Sequence, residues 1–257
     1  MKLGIFYTVF DGEELLSGSI DQIYEHVDHI LICFQSISNK GEINNNLEGE
    51  LVSMLMGREK IKFLEFHPIH SLNLKEMERQ KHNFALQQLK NLGCTHFIMS
   101  ACDHYYVSDD FAKAKIKALN YDVTLTNMNT YFKHPEWQLT PIENYQMPFI
   151  CKMHPNTEIS KLEYNGFKTD PSVRINTRNT LFLFPNHDII LHHYSMIRKN
   201  VRLKFRNAAI FKRSEDEISE YVSEYENYNI QENKGVKYFG GRKINIVNNI
   251  FNISLPE

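Results

Sequence analysis

Thr95-His96-Phe97-Ile98-Met99-Ser100-Ala101-Cys102-Asp103-His104-Tyr105-Tyr106 is the stretch from which the rest of the chain is read. A short apolar run, His96 to Ala101, follows Gly93 and ends abruptly on an acid, a histidine and two tyrosines. A run of that length behind a helix-stopping glycine is the pattern of an interior strand in an α/β sheet. Ligands of such sheets bind just beyond the carboxyl ends of the strands. The spacing therefore delivers Asp103 to the binding edge.

Upstream, Leu3 to Phe10 reads as a first strand, rich in β-branched and aromatic residues, and Asp11-Gly12 breaks it. Glu13 and Glu14 then open a helix whose Leu16, Ile20, Ile23 and Val27 form one apolar stripe. The two acids suit the positive end of the helix dipole. His29 to Phe34 is a second apolar strand, so the opening is β-α-β with a parallel pair. Ser36 to Glu50 reads as a loop and Ile61 to Phe66 as a third strand. Asn73-Leu74-Lys75-Glu76 fits a capping box. The helix behind it carries Ala85, Leu89 and Leu92 on one face and Arg79 and Asn83 on the polar one, and stops at Gly93.

Downstream, Asp109 to Leu119 is expected to be helical and Asp122 to Thr130 a strand. Tyr131 to Asn186, dense in aromatics, prolines and asparagines, is expected to form irregular structure and antiparallel strands that wall a site. Ile189 to Ser195 looks like one more strand. Arg198 to Arg213 holds seven basic residues and no acid, Val201, Phe205, Ala208 and Ala209 marking its inward face. Ser214 to Glu226 looks helical, and the last thirty residues read as an extended tail or a packed arm. No repeat or linker separates independent domains. Residues 1–195 are expected to form the main unit, with 196–257 packed on it.

At 257 residues there is ample length for a core, and 42% hydrophobic with 23% charged residues is ordinary for a soluble globular chain. A net charge of −2 supplies no global attraction to nucleic acid or anionic membrane. Cys33, Cys94, Cys102 and Cys151 show no CxxC spacing, which suits reduced thiols and a cytoplasmic setting. No secretory signal is recognisable, and no segment approaches the roughly 18 to 20 apolar residues that span a bilayer. Walker A, GxGxxG and GxSxG patterns are absent, which disfavours P-loop, dinucleotide-binding and α/β-hydrolase chemistry.

Asp103 at a strand end could ligate Mn²⁺ or Mg²⁺, with His104, His192 and His193 as further ligands. Adjacent strand residues point to opposite faces, so one of His192 and His193 at most faces the site. Cys102 has no sequence neighbour that would lower its pKa, so a structural thiol is expected there. The basic run is either a solvated helix face, a diphosphate clamp or a contact for a polyanion.

Read together, these elements resemble the GT-A glycosyltransferases, the family 2-like group in particular. The family's "T-V-K-N-E-E" is similar to Thr8-Val9-Phe10-Asp11-Gly12-Glu13-Glu14, and its "D-E-I-V-I-V-D" to Asp28 through Phe34 without the terminal acid. Its arginine- and asparagine-bearing helix resembles Arg79-Gln80-Lys81-His82-Asn83-Phe84-Ala85, running on to Gly93-Cys94-Thr95-His96-Phe97-Ile98. "D-A-D-E-F-Y" falls on Ala101 through Tyr106, and "H-H-F-S-x-V-R-K" on His192 through Lys199.

The resemblance implies a GT-A-like, Rossmann-type mixed sheet flanked by helices, with a C-terminal helical and extended segment, and a nucleotide-sugar donor, a UDP-sugar foremost. Tyr7, Thr8 and Val9 would lie along the nucleobase, Arg79 and Asn83 near the ribose or phosphates, and Arg198 or Lys199 on the diphosphate. Asp11 and Cys102 would also belong to the donor site. Asp103 and a histidine of the late pair would hold the cation. Ala101 stands where the family's motif has its first acid, so the basic cluster is an alternative source of counter-charge. Glu136 and Glu143 are candidate bases for an acceptor hydroxyl. The acceptor would be a saccharide or a lipid-linked glycan, with modified DNA as an alternative. A domain that binds a nucleotide or glycan without turnover is a third reading.

Overall fold

The computed structural model describes residues 1–160, 166–169, 175–176, 180–207 and 213–254. Ala208, Ala209 and Lys212 of the basic run lie outside the described residues. The first half is built as the apolar runs require. β1 (Leu3–Val9) pairs in parallel with both β2 (His29–Phe34) and β4 (His96–Ala101), and β2 with β3 (Ile61–Glu65). α1 (Leu16–Ile23), with a 3₁₀ turn at each end, buries Leu16, Ile20 and Ile23, and Val27 continues the buried face. Such a stripe of four apolar side chains is what holds a short helix on a sheet.

The sheet reaches seven strands, in the order β10-β6-β9-β4-β1-β2-β3. β6 is Val123–Thr126, β9 Met147–Lys152 and β10 Leu181–Leu183. β9 runs antiparallel to both its neighbours and makes the sheet mixed. A second, five-stranded mixed sheet runs β12-β8-β7-β11-β5. Its members are β5 (His104–Tyr105), β7 (Met128–Phe132), β8 (Trp137–Thr140), β11 (Leu191–Met196) and β12 (Lys243–Ile246). Two mixed sheets flanked by helices make the mixed-sheet α/β class expected above.

Several local expectations are corrected. Asp122 to Thr130 is two strands, because the chain changes sheets at Asn127, between β6 and β7. The loop read over Ser36 to Glu50 ends early: α2 (Leu47–Leu55) starts inside it and buries Leu47, Leu51 and Leu55 at every fourth position. The intervening Glu and Gly residues mask that spacing. α3 (Leu74–Asn91) has only half a capping box. Asn73 accepts from the Glu76 amide at 3.0 Å, but the Glu76 carboxylate is taken by Arg79. A complete box sits instead at Ser214 and Glu217, opening α6 (Glu215–Asn227).

The remaining helices are α4 (Ser108–Ala118) and α5 (Val201–Asn207). The C-terminal residues take the packed-arm form. β12 pairs with β8, while Phe205, Ile218, Val222, Val236 and Ile244 close a second apolar cluster with Phe132, Leu139 and Met196. Among the described residues, no helix is long and apolar enough to cross a membrane.

Candidate active site

The strand order reverses at β1, which has β2 on one side and β4 on the other; such switch points open a crevice at the carboxyl edge. A cavity of about 300 Å³ lies there, lined by the ends of β1 and β4, the turn after β2, one face of α3, and Arg198, Lys204 and Asn207. At its floor is Asp103, 1% exposed. The chain leaves β4 through Cys102-Asp103 and immediately forms β5, whose His104 is registered opposite His193 of β11. That pairing sets the two imidazoles edge to face, 4.9 Å apart, beside the carboxylate.

One oxygen of Asp103 carries the charge contacts. Arg198 is ion-paired to Oδ2, Lys204 Nζ stands 3.2 Å from it and His193 Nε2 3.4 Å. Burial works to raise this carboxyl, but Lys204, Arg198 and His193 together hold it well below the usual carboxylate range. Arg198 also donates to the backbone carbonyls of Ser195 and Asp11, at 3.1 and 3.2 Å, and is itself 6% exposed. Oδ1 of Asp103 is buried without a hydrogen-bond partner, with His104 Nε2 4.0 Å away. Burial, reinforced by His193, pushes the His104 imidazole down to about 3, so it is neutral at pH 7.

The opposite wall is a buried polar network. Lys81 Nζ donates to Gln35 Oε1 at 2.9 Å and is ion-paired to Glu78 at the same distance. Gln35 donates to Asn39 at 2.9 Å, and Asn39 to Glu78 at 2.8 Å. Burial would raise the Glu78 carboxyl; Lys81 and His82 outweigh it and bring it down. None of these four was singled out from the sequence. The signal existed: positions 78, 81 and 82 share the inward face of α3 with Ala85 and Leu89, and a charged residue on an apolar stripe is buried for a reason.

Of the residues expected at the donor site, Thr8, Asp11, Cys102, Asp103 and Arg198 line the cavity. Tyr7 and Val9 are buried, and the Tyr7 hydroxyl accepts from Ser19 at 3.2 Å. Arg79 is turned to Glu76, and Asn83 grips both backbone groups of Ile159, at 2.8 and 3.0 Å; neither lines the cavity. Lys199 is exposed, its amide bonded to Glu14, and the lysine that reaches Asp103 is Lys204, one turn into α5.

Strand alternation separates the late histidines. His193 faces Asp103, whereas His192 bonds the Tyr131 hydroxyl at 2.7 Å and packs against Phe251. Burial pushes His192 down to about 4. Glu143 is ion-paired to Arg242 at 2.6 Å, Glu136 is exposed, and the cavity lining includes neither.

Cys102 lies 3.3 Å from Arg198, yet burial prevails and pushes the thiol up to about 12. The other three cysteines are buried and raised for the same reason. A thiol of this kind is not a nucleophile at neutral pH. Titration of the native chain with a disulfide reagent at pH 7.5 is expected to release no thiolate within minutes, and four after denaturation. A fast-reacting Cys102 would refute this assignment.

Asp103, His104 and His193 each offer one ligand atom, all within 4.8 Å of one another. The unpartnered Oδ1 and the two imidazoles make a mixed oxygen and nitrogen donor set that fits a divalent cation. Arg198 and Lys204, on the other carboxylate oxygen, repel a cation arriving alone.

No protein-family model matches the chain, and no curated protein matches it. Solved structures similar to it include S. aureus TarS 1-349, at 8% identity and a TM-score of 0.46, covering 88% of this chain and 71% of that one. The same protein in complex with UDP aligns at 10% identity and a TM-score of 0.35 over 51% of this chain, which spans 36% of that structure. Mannose-1-phosphate geranyltransferase from Thermus thermophilus aligns at 10% identity and a TM-score of 0.32, over 58% of this chain and 50% of that one.

Proposed function

We propose that the chain is a glycosyltransferase that takes a sugar from a nucleoside diphosphate donor, a UDP-sugar in our assignment. The observation that carries this reading is the convergence of Arg198 and Lys204 on Asp103 at the switch-point cavity, with Lys81 on the opposite wall. A nucleoside diphosphate leaves with growing negative charge, and fixed cations in a buried site stabilise that charge far better than water does. Arg198 is held by two carbonyls and a carboxylate, so it is positioned before the ligand arrives. Gln35, Asn39 and Glu78 line the same cavity, and their donors and acceptors, bonded to one another and to Lys81 in this structure, are of the kinds that a nucleobase edge exchanges with.

In the transfer, an acceptor hydroxyl oxygen bonds the anomeric carbon as the bond from that carbon to the diphosphate oxygen breaks. The diphosphate keeps the electron pair, and the hydroxyl proton is lost to a general base or to water. Asp103, His104 and His193 would hold Mn²⁺ or Mg²⁺, which supplies further neutralisation of the diphosphate when bound. We take residues 1–195 as the main unit and 196–257 as a segment packed on it that lends Arg198 and Lys204, and we place the protein in the cytoplasm.

The test is a thermal-shift panel of nucleoside diphosphates with Mn²⁺, Mg²⁺ or EDTA. A ligand of the folded state at 100 times its Kd stabilises by about 2.7 kcal/mol. UDP is expected to raise the melting temperature, more with metal than in EDTA, and metal alone to have little effect. A panel in which no diphosphate shifts the transition removes the glycosyltransferase reading. Binding without turnover of any UDP-sugar would favour a domain that only binds.

A further inference from the structure

Among the described residues that line the switch-point cavity, three side-chain oxygens are buried with no donor to meet them: Asp11 Oδ2, Asp103 Oδ1 and Asn207 Oδ1. Buried acceptors of this kind are rare in folded proteins, and each calls for an occupant. Asp103 Oδ1 belongs to the candidate cation set with His104 and His193. Asn207 is the last residue of α5, and the chain just beyond it lies outside the described residues. Asp11 Oδ2 is neither, and no step described so far uses it.

The backbone at Asp11 is firmly held. It stands in the turn after β1, where its carbonyl accepts from Arg198 Nη1 and from the Cys102 thiol, each at 3.2 Å. Gly12 beside it is left-handed at φ +78° and leaves no room for a side chain against Arg198. The peptide that carries the carboxylate is therefore fixed before any ligand enters. Next to it, β1 and β4 run in register with Thr8 opposite Ala101, and both residues line the cavity. Ala101 brings only a methyl group, so at that point the neighbouring strand supplies no side-chain oxygen.

What would meet Oδ2 follows from its charge. A carboxylate repels a phosphate, so the diphosphate belongs with Arg198 and Lys204 instead. The group of metal-ligating side chains found among the described residues is Asp103, His104 and His193, and Asp11 is not in it. The N–H groups of a base have acceptors in Gln35, Asn39 and Glu78 on the opposite wall. A neutral O–H remains, and a hydrogen bond from a hydroxyl to a carboxylate is short and strong.

We propose that Asp11 selects the donor by a ring hydroxyl: its Oδ2 accepts a hydrogen bond from an O–H of the ribose or of the transferred sugar. The inference rests on the donor reading above. Both sources present the same chemistry, a hydroxyl on a sugar joined to the diphosphate. A donor lacking that hydroxyl leaves the buried carboxylate oxygen unpaired, and this penalty makes such selection stronger than the hydrogen bond alone. Asp11 also lies close enough to Arg198 for their charges to attract. A role confined to that attraction predicts something different, because removing the charge would free Arg198 to bind every diphosphate more tightly.

The test is titration calorimetry of wild type, Asp11→Ala and Asp11→Asn with pyrophosphate, UDP, 2′-deoxy-UDP, 3′-deoxy-UDP, UDP-glucose and UDP-galactose. If the hydroxyl is the ribose's, wild type is expected to hold UDP about ten- to a hundredfold more tightly than one of the deoxy analogues. If it is the transferred sugar's, one UDP-sugar should exceed UDP by a similar factor. Asp11→Ala should reduce that preference to within about twofold, and Asp11→Asn, which keeps a neutral acceptor, should leave an intermediate one. Pyrophosphate carries no such hydroxyl and should bind both variants at least as tightly as wild type. The wild-type comparison needs no variant to fold.

A wild type that binds UDP, both deoxy analogues and both UDP-sugars alike overturns the proposal and leaves the donor reading standing. So does a preference that survives unchanged in Asp11→Ala. Variants that tighten pyrophosphate and every nucleotide by one common factor overturn it in favour of Asp11 as a counter-charge to Arg198. If neither UDP nor a UDP-sugar binds wild type, the donor reading falls and the proposal with it.

Discussion

Asp103→Ala is expected to destabilise the fold by about 3–5 kcal/mol, because it strands buried positive charge. Arg198 is 6% exposed and Asp103 1%, so solvent cannot take over the missing partner. Lys204, 16% exposed at its side chain, turns outward more easily. The gain of the native pair over a hydrophobic replacement is modest; the cost arises from breaking half of it. Chemical denaturation at pH 7 measures the loss, and a change below about 1 kcal/mol would mean that Arg198 finds another anion.

The same contacts give the pH dependence a definite sign. The Asp103 carboxyl is lowered from its ordinary 3.8, so the folded state binds its proton less readily than the unfolded chain. Its contribution is therefore complete at neutral pH, begins to fall as the pH drops towards about 4, and is lost progressively below that. Asp103→Asn keeps the shape and removes the titration, so the acid limb of its stability curve is expected to flatten relative to wild type. The substitution should also abolish the UDP-dependent shift if the carboxylate orders Arg198 and Lys204 for the diphosphate.

Gly12→Ala is the second large effect. Gly12 sits at φ +78°, a region that costs an L-residue roughly 1–2 kcal/mol. A methyl group there would lie 0.9 Å from Arg198 Nη1 and 2.2 Å from Cζ, so the guanidinium must leave its pocket. Overpacking of this kind adds about 1–3 kcal/mol. Gly41→Ala separates the two terms: it has φ +88° but nothing within 4 Å of the added carbon. Denaturation is expected to show about 1–2 kcal/mol for Gly41→Ala and about 2–5 for Gly12→Ala, with UDP affinity reduced only in the latter. Equal losses would show that Arg198 moves aside without consequence.

Much of this architecture could be read from residue order. β2 and β4 are apolar runs with the observed limits, and the parallel β-α-β opening follows from them. Asp103 at the end of β4 was legible for the same reason, as was the split between His192 and His193, which strand alternation dictates. The Lys81 network was not, because Arg79 and Asn83 mark the polar side of α3 in the sequence, whereas Lys81 sits on the buried side. Those two residues make local and backbone contacts away from the cavity. Which of seven basic residues would reach Asp103 depends on where α5 lands, a matter of tertiary packing by Phe205 that no local pattern encodes. Likewise, the change of sheet at Asn127 leaves no mark in a stretch whose residues suit a strand on both sides.

The passage of the chain from β4 to β5 through Cys102-Asp103 has a mechanical meaning. Thr8, Asp11, Gln35 and Lys81 are carried on the seven-stranded sheet and its helix, while His104, His193 and Arg198 belong to the five-stranded sheet and the turn that follows it. A ligand that touches both groups is a rivet through two plates. Filling the cavity should slow amide exchange on both sides of the joint together, including in β7 and β11, which do not line it. Loosening the C-terminal arm should in turn weaken the ligand from a distance, since work done to part the plates is work done against the rivet.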